Sequence, residues 1–259
     1  MKPLFVALFR KVVQLPSLSR VTDFVTRNTV TTLHTVLHSK TSMSFAHPNQ
    51  QIRSRNLTFS TKEPDTLQWI DGFEPSAVLW DIGANVGLYS VYAALNGQNV
   101  MAIEPSAFNI EFLVRNIEAN KCNERIRVLP IAIGKSASGF AKLSLKSTEW
   151  GDSQSAFATQ MGQSGEQESF EISYQTLGVE LDALVPLLGI SKPDYLKLDV
   201  DGIEPDILES GPVTLKTVSS VLVEVPTYPR AEQRIRDALT SAGLSFKSSR
   251  HRNQIWIRD

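Results

Sequence analysis

The chain has 259 residues, 42% hydrophobic and 20% charged, with a formal net charge of −1. This suits one large globular unit with a well-buried core and excludes a strongly basic nucleic-acid binder. A single cysteine, Cys122, excludes a disulfide framework and a multi-cysteine metal site, and points to a reducing, cytoplasmic setting.

Charge is uneven along the chain. Up to Ser60 the only acid is Asp23, against Lys2, Arg10, Lys11, Arg20, Arg27, Lys40, Arg53 and Arg55. The opening MKPLFVALFRKVVQL is basic and apolar but too short to span a bilayer, so peripheral membrane contact through this end is the alternative to a helix covering the domain. Residues 1–50 read as an N-terminal helical extension, and 51–259 as one catalytic or binding domain.

From about Gln51 short apolar runs alternate with helical periods. Ser76–Trp80, Asn99–Ile103 and Ile126–Ile133 read as strands, with helices over Val86–Leu95 and from Ser106 to about Asn120. On the second helix Ile110, Leu113, Val114 and Ile117 form the expected apolar face. Gly139–Leu145 and Ser169–Leu177 predict a β-hairpin insertion whose tip, around QSGEQES, is either a lid or disordered. Tyr195–Val200 and Ser220–Val225 are two further core strands, and a helix over Arg230–Ala242 precedes a closing hairpin. The β-α-β-α-β rhythm predicts an α/β, doubly wound Rossmann-like sheet, mostly parallel, with the antiparallel hairpin at one edge.

The stretch VLWDIGANVGLYS joins the first of these strands to its helix, and the unpaired N–H groups of such a turn suit an anionic or polar ligand. Asp81 precedes Gly83-Ala84-Asn85-Val86-Gly87. Neither G-x-G-x-x-G nor G-x-x-x-x-G-K-[ST] is present, which argues against a dinucleotide or nucleotide phosphate. Glu104 closes the next strand 21 residues beyond Gly83, the spacing of a carboxylate that holds ribose hydroxyls.

Together DIGANVGLYS, AIEP, FLVRNIEAN and LKLDVDGIEPDILESG resemble the FkbM family of class I S-adenosylmethionine-dependent methyltransferases, over roughly residues 50–226. Asn85 stands where that class commonly has a middle glycine, and Asp201 where many members carry Glu. The resemblance implies a Rossmann-like methyltransferase fold with adenosylmethionine over the carboxyl ends of the strands. It also implies the cofactor's surroundings: Asp81, Gly83, Ala84, Asn85 and Gly87 at the methionine end, Glu104 on the ribose, Ala132 and Ile133 beside the adenine, and Glu63 toward the amino-acid end.

In YLKLDVDGIE, strand alternation places Lys197, Asp199 and Asp201 on one side. Buried charge in a central strand is costly unless it is paired or serves a ligand, so Lys197 and Asp199 are the expected catalytic pair. Asp201, Glu204 and Glu224 are candidates for contact with the acceptor. Asp199, Asp201 and Glu204 could alternatively hold Mg²⁺, but capping of the next helix explains the same acids, and no metal site is expected. The expected activity is methyl transfer to a hydroxyl oxygen of a small molecule, sugar or glycan. A silent nucleoside-binding or membrane-associated module and a nicotinamide-dependent oxidoreductase are the alternatives. Neither acceptor identity nor oligomeric state follows from the sequence.

Overall fold

The computed structural model describes residues 18–135 and 138–258. After helix α1 (Ser19–Thr31) and a hairpin of β1 (Leu33–His38) and β2 (Thr41–Ala46) come α2 (Gln50–Lys62) and α3 (Pro64–Asp71). The central units are β3 (Val78–Ile82), α4 (Leu88–Leu95), β4 (Asn99–Ile103), α5 (Ala107–Ala119) and β5 (Ile126–Leu129). Then follow β6 (Ala132–Ile133), β7 (Ser138–Leu145), β8 (Ser155–Phe157) and β9 (Ile172–Val179), with α6 (Leu184–Leu188) behind a single 3₁₀ turn. The chain closes with β10 (Tyr195–Leu198), α7 (Glu204–Glu209), α8 (Pro212–Leu215), β11 (Ser220–Glu224), α9 (Ala231–Ser241), β12 (Ser245–Arg250) and β13 (Asn253–Ile257).

The central sheet has the order β12-β13-β11-β10-β3-β4-β5, parallel from β11 to β5, with β13 and β12 antiparallel at one edge. Its inner strands are buried on both faces, as layered α/β sheets require. Alternation splits them: Leu79, Val100 and Leu222 join a core shared with α4, α5 and the first hairpin, while Trp80, Ile82, Leu196 and Val221 join one shared with α7 and α9. The doubly wound expectation holds.

Three local expectations change. The helical reading of residues 1–50 fits α1 only: residues 33–46 form a hairpin, and residues 1–17 lie outside the described residues, with the membrane-contact segment they carry. Alternation explains the hairpin, since Met43 and Phe45 are buried in the core while Ser42 and Ser44 are not. On α1, Val21, Phe24 and Val25 are exposed. The strand expected over Ile126–Ile133 breaks at Pro130, which cannot donate to a ladder; β6 then leaves the central sheet and pairs with β9 in a second sheet of order β6-β9-β7-β8. That second sheet is the hairpin insertion, with β7 and β9 antiparallel in full register.

The apolar face of α5 is also shifted. Val114 is exposed, and Asn109, Phe112, Leu113, Asn116 and Ile117 turn inward. Asn116 and, just past the end of α5, Asn120 replace a neighbouring strand. Asn116 accepts from the Ala46 N–H at 2.9 Å and donates to the Val86 carbonyl at 2.7 Å; Asn120 accepts from the Ser44 N–H at 2.8 Å and donates to its carbonyl at 2.7 Å. The open edge of β2 is thereby fastened to the domain. Asn116→Ala strands two buried backbone groups and should cost about 2–4 kcal/mol in urea denaturation, with Asn120→Ala, at a half-buried position, costing about 1 kcal/mol. Equal, negligible losses would show that the hairpin is held by its apolar residues alone.

Candidate functional site

The turn after β3 is closed by backbone contact. Gly83 has φ +83°, and a Cβ there would lie 1.8 Å from the Asp199 carbonyl oxygen, so no side chain can stand between β3 and the segment after β10. Asn85 adopts φ +52°, a left-handed conformation that asparagine tolerates where the class commonly has glycine. Gly87 has φ +83°, and its missing side chain admits Leu113 of α5.

The amides of Gly83 to Gly87 are engaged within the protein. Gly83 and Ala84 donate to the Ile103 carbonyl at 2.9 and 3.1 Å, Asn85 donates to Glu104 Oε2 at 2.8 Å, Val86 to Asn85 Oδ1, and Gly87 to the Ala84 carbonyl. The ends of β3 and β4 are too close for an anion to enter between them. Glu104 is buried and also accepts from the Ser106 N–H at 2.9 Å. Burial raises its pKa, against these hydrogen bonds and one from Asn109 to Oε1, while Oε2 retains a further lone pair.

At the end of β10, Lys197 is 1% exposed and in register with Asp81 of β3. Its Nζ lies 3.6 Å from Asp81 Oδ1 and 3.4 Å from Asp199 Oδ2, and 5.2 Å from the centre of the Tyr89 ring. Burial disfavours the ammonium, but Asp199, Asp81 and Glu63 outweigh it and raise the pKa, so Lys197 stays charged and cannot accept a proton. Asp81 is buried, and its Oδ2 accepts from Ser90 Oγ at 2.6 Å, tying β3 to α4.

The remaining acids divide. Burial opposes ionisation of Asp199, yet Lys197 and a hydrogen bond from Glu224 bring its pKa below the usual carboxylate value. Asp201 is pushed up to about 9 by burial and by Asp199, Glu224 and Glu204. Glu224 is raised by burial and by Asp199, although Arg252 donates to it at 2.6 Å and Gln163 at 2.8 Å. Glu204, expected among the acceptor contacts, instead braces the loop before α7, accepting from the Val200 and Gly202 N–H groups at 2.9 Å each. Among the described residues, no three His, Cys, Asp or Glu side chains gather into a metal-binding group.

Three hollows run along this carboxyl edge. The first, about 660 Å³, has Glu104, Ile103, Ile131, Ala132, Ile133, Leu143 and Phe157 in its walls. The second, about 510 Å³, is lined by Lys62, Glu63, Ala84, Tyr89 and Lys197 among others, and shares Arg55, Gly83, Asn85 and Asp199 with the first. The third, about 550 Å³, lies under the insertion and shares Ser155 and Asp201 with the first. Of the expected residues, Glu63, Gly83, Ala84, Asn85, Glu104, Ala132, Ile133, Lys197, Asp199 and Asp201 are brought to these walls. The expectation missed Arg55, Lys62, Tyr89, Asn109 and the insertion's contributions. The tip itself is ordered over the edge: Gln163 reaches Glu224, and Gly165 packs on Tyr228.

Asp201 binds its proton more tightly folded than unfolded, where an aspartate titrates near about 3.9. The stability this gives is complete below that value and is lost as pH rises toward about 9. Asp201→Asn, which keeps a residue tolerant of φ +63°, should therefore gain on the parent protein as pH rises. Thermal melts at pH 5 and pH 9 check this; a melting-temperature difference that does not change between them contradicts the assignment.

The methyltransferase FkbM domain model matches residues 81–246. The hexuronic acid methyltransferase AglP of Haloferax volcanii is 27% identical over 152 residues, 59% of this chain and 57% of that protein, so the chain spans little more than half of this relative's length. Among solved structures, magnesium protoporphyrin IX methyltransferase from Synechocystis, with bound adenosylmethionine, aligns over 98% of this chain and 96% of its own at 14% identity and a TM-score of 0.47. A precorrin-6y C5,15-methyltransferase from Geobacter metallireducens aligns over 75% and 85% at 12% identity and a TM-score of 0.43. The domain match, covering more than half of the chain and including both the Gly83 turn and the Lys197–Asp199 edge, shows that this protein belongs to the FkbM family of S-adenosylmethionine-dependent methyltransferases.

Proposed function

We propose that the chain transfers a methyl group from S-adenosylmethionine to a hydroxyl oxygen of a sugar, glycan or other small polyhydroxylated molecule. The observation that carries this reading is the sharing of two carboxyl side chains between neighbouring hollows: Asp199 belongs to the first and second, Asp201 to the first and third.

The residues present fit the cofactor. A buried carboxylate, Glu104, beside apolar walls from Ile103, Ile131 and Ile133 suits a ribose with an adenine next to it. In the second hollow Glu63 can accept from an ammonium, and Lys62 and Arg55 can take a carboxylate. Bound there, adenosylmethionine supplies an electrophilic methyl group on a sulfonium. The protein's part is alignment and exclusion of water. Lys197 is a positioning residue: permanently charged, it holds Asp199 ionised and in place. Asp199 then accepts the hydrogen bond of the acceptor hydroxyl, turns an oxygen lone pair toward the methyl group and takes the proton as the bond forms. The insertion tip, fastened through Gln163 to Glu224, keeps water from the edge. The buried thiol of Cys122 fits a reducing cytoplasm, and among the described residues no helix is long and apolar enough to cross a membrane.

Calorimetry should detect adenosylhomocysteine binding and none of NAD, and Glu104→Gln should weaken the former by about tenfold. Unchanged affinity in that variant would move the ribose elsewhere. Asp199→Asn should lower kcat by about 10²–10⁴-fold while adenosylhomocysteine affinity stays within about threefold. Turnover at the parent rate would remove Asp199 from the chemistry.

A further inference from the structure

The third hollow has a chemical character of its own. Gln154, Ser155, Gln163, Ser164 and Thr227 line it with amides and hydroxyls, and Phe170 adds an aromatic surface. Its two acidic groups are Asp201 and Glu168. Among the described residues, no lysine or arginine lines it. Lys146 Nζ is 2.9 Å from Glu168 of this wall, and Arg252 Nη2 is 2.6 Å from Glu224, the partner of Gln163. Arg55 lines the first and second hollows only.

We infer that this hollow receives an uncharged polyhydroxylated acceptor, a neutral sugar unit, and discriminates against a uronate. The inference rests on the methyl-transfer reading above and narrows its substrate class. Hydroxyl groups of a neutral sugar both donate and accept, so they match walls of amides and hydroxyls, which do the same. The C–H face of a pyranose can lie on Phe170. A carboxylate would instead lose its hydration in a hollow that, among the described residues, no lysine or arginine lines, beside Glu168, whose own charge already occupies Lys146, and a charge desolvated without a partner is strongly disfavoured. The named activity of the Haloferax relative, on a hexuronic acid, therefore does not extend to this chain.

The test uses the full chain, radiolabelled adenosylmethionine and matched gluco, galacto and manno glycosides that differ only in carrying CH₂OH or carboxylate at C6. The neutral members should show kcat/KM about tenfold or more above their uronates. Gln154→Arg, which puts a cation into the hollow, should cut that ratio by about tenfold while adenosylhomocysteine affinity stays within about threefold. Equal or faster turnover of any uronate overturns the inference, and so does an unchanged ratio in Gln154→Arg. If the protein binds adenosylhomocysteine but methylates no neutral glycoside, the inference fails and the methyl-transfer reading stands. If adenosylhomocysteine does not bind, that reading falls and takes the inference with it.

Discussion

Lys197 of β10 stands in register with Asp81 of β3 and two residues before Asp199, and the carboxyl edge of the sheet is arranged around this buried cation. An ammonium removed from water is tolerable only when opposite charge meets it at short range. The pairing therefore fixes the register of β3 against β10. A slip of one residue would turn Lys197 toward the apolar layer of Leu196 and Leu198 and leave Asp81 without a cation. Gly83 then brings the turn into contact with the backbone of Asp199, and Asn85 passes the constraint on to Glu104 through a hydrogen bond. Three strand ends are thus locked together by one ion pair, one absent side chain and one carboxylate.

The same cation organises the surrounding acids. Asp199, Asp201, Glu204 and Glu224 are too close to carry full charge together, and the one nearest Lys197 keeps it. Glu204 and Glu224 serve the loop before α7 and the insertion tip. Asp201 is held in a left-handed turn between the first and third hollows. Four acids that look alike in the sequence are thereby given different protonation states and different work.

What could be read from the sequence follows the range of the interactions. Asp81, Gly83, Asn85, Glu104 and the Lys197–Asp199 pair are legible because strand-turn-helix units place them by local rules. For Glu204 the sequence left two readings, acceptor contact and capping of the next helix, and its partners are backbone N–H groups of its own loop. Arg55, Lys62 and Tyr89 reach the site from faces of α2 and α4, where no strand pattern marks them. The buried amides of Asn109 and Asn116 read as polar breaks in an apolar face because their partners, the Gly151 N–H and the Ala46 N–H, are 42 and 70 residues away along the chain. The first hairpin was legible in principle: the alternation around Met43 and Phe45 has the period of a strand, and it was obscured by the basic, mixed segment before it.

The insertion rests on the other elements at several points: Asn85 and Asn109 donate to the Asp152 carbonyl, Tyr174 bonds Ala107 and Pro105, and Gln163 reaches Glu224. Its sheet meets the wall of the first hollow at β6, a strand of two residues paired with Gly178 and Val179. The region that forms the proposed acceptor wall belongs mainly to this second β layer, which also lends Leu143, Ser155 and Phe157 to the first hollow. Gln154, Ser164 and Phe170 line the third hollow and neither of the other two, so substitutions there change the acceptor wall at a distance from Gly83, Glu104 and Lys197. A fold divided in this way lets a lineage exchange one methyl acceptor for another at little risk to its donor site, so specificity can drift quickly where the chemistry cannot.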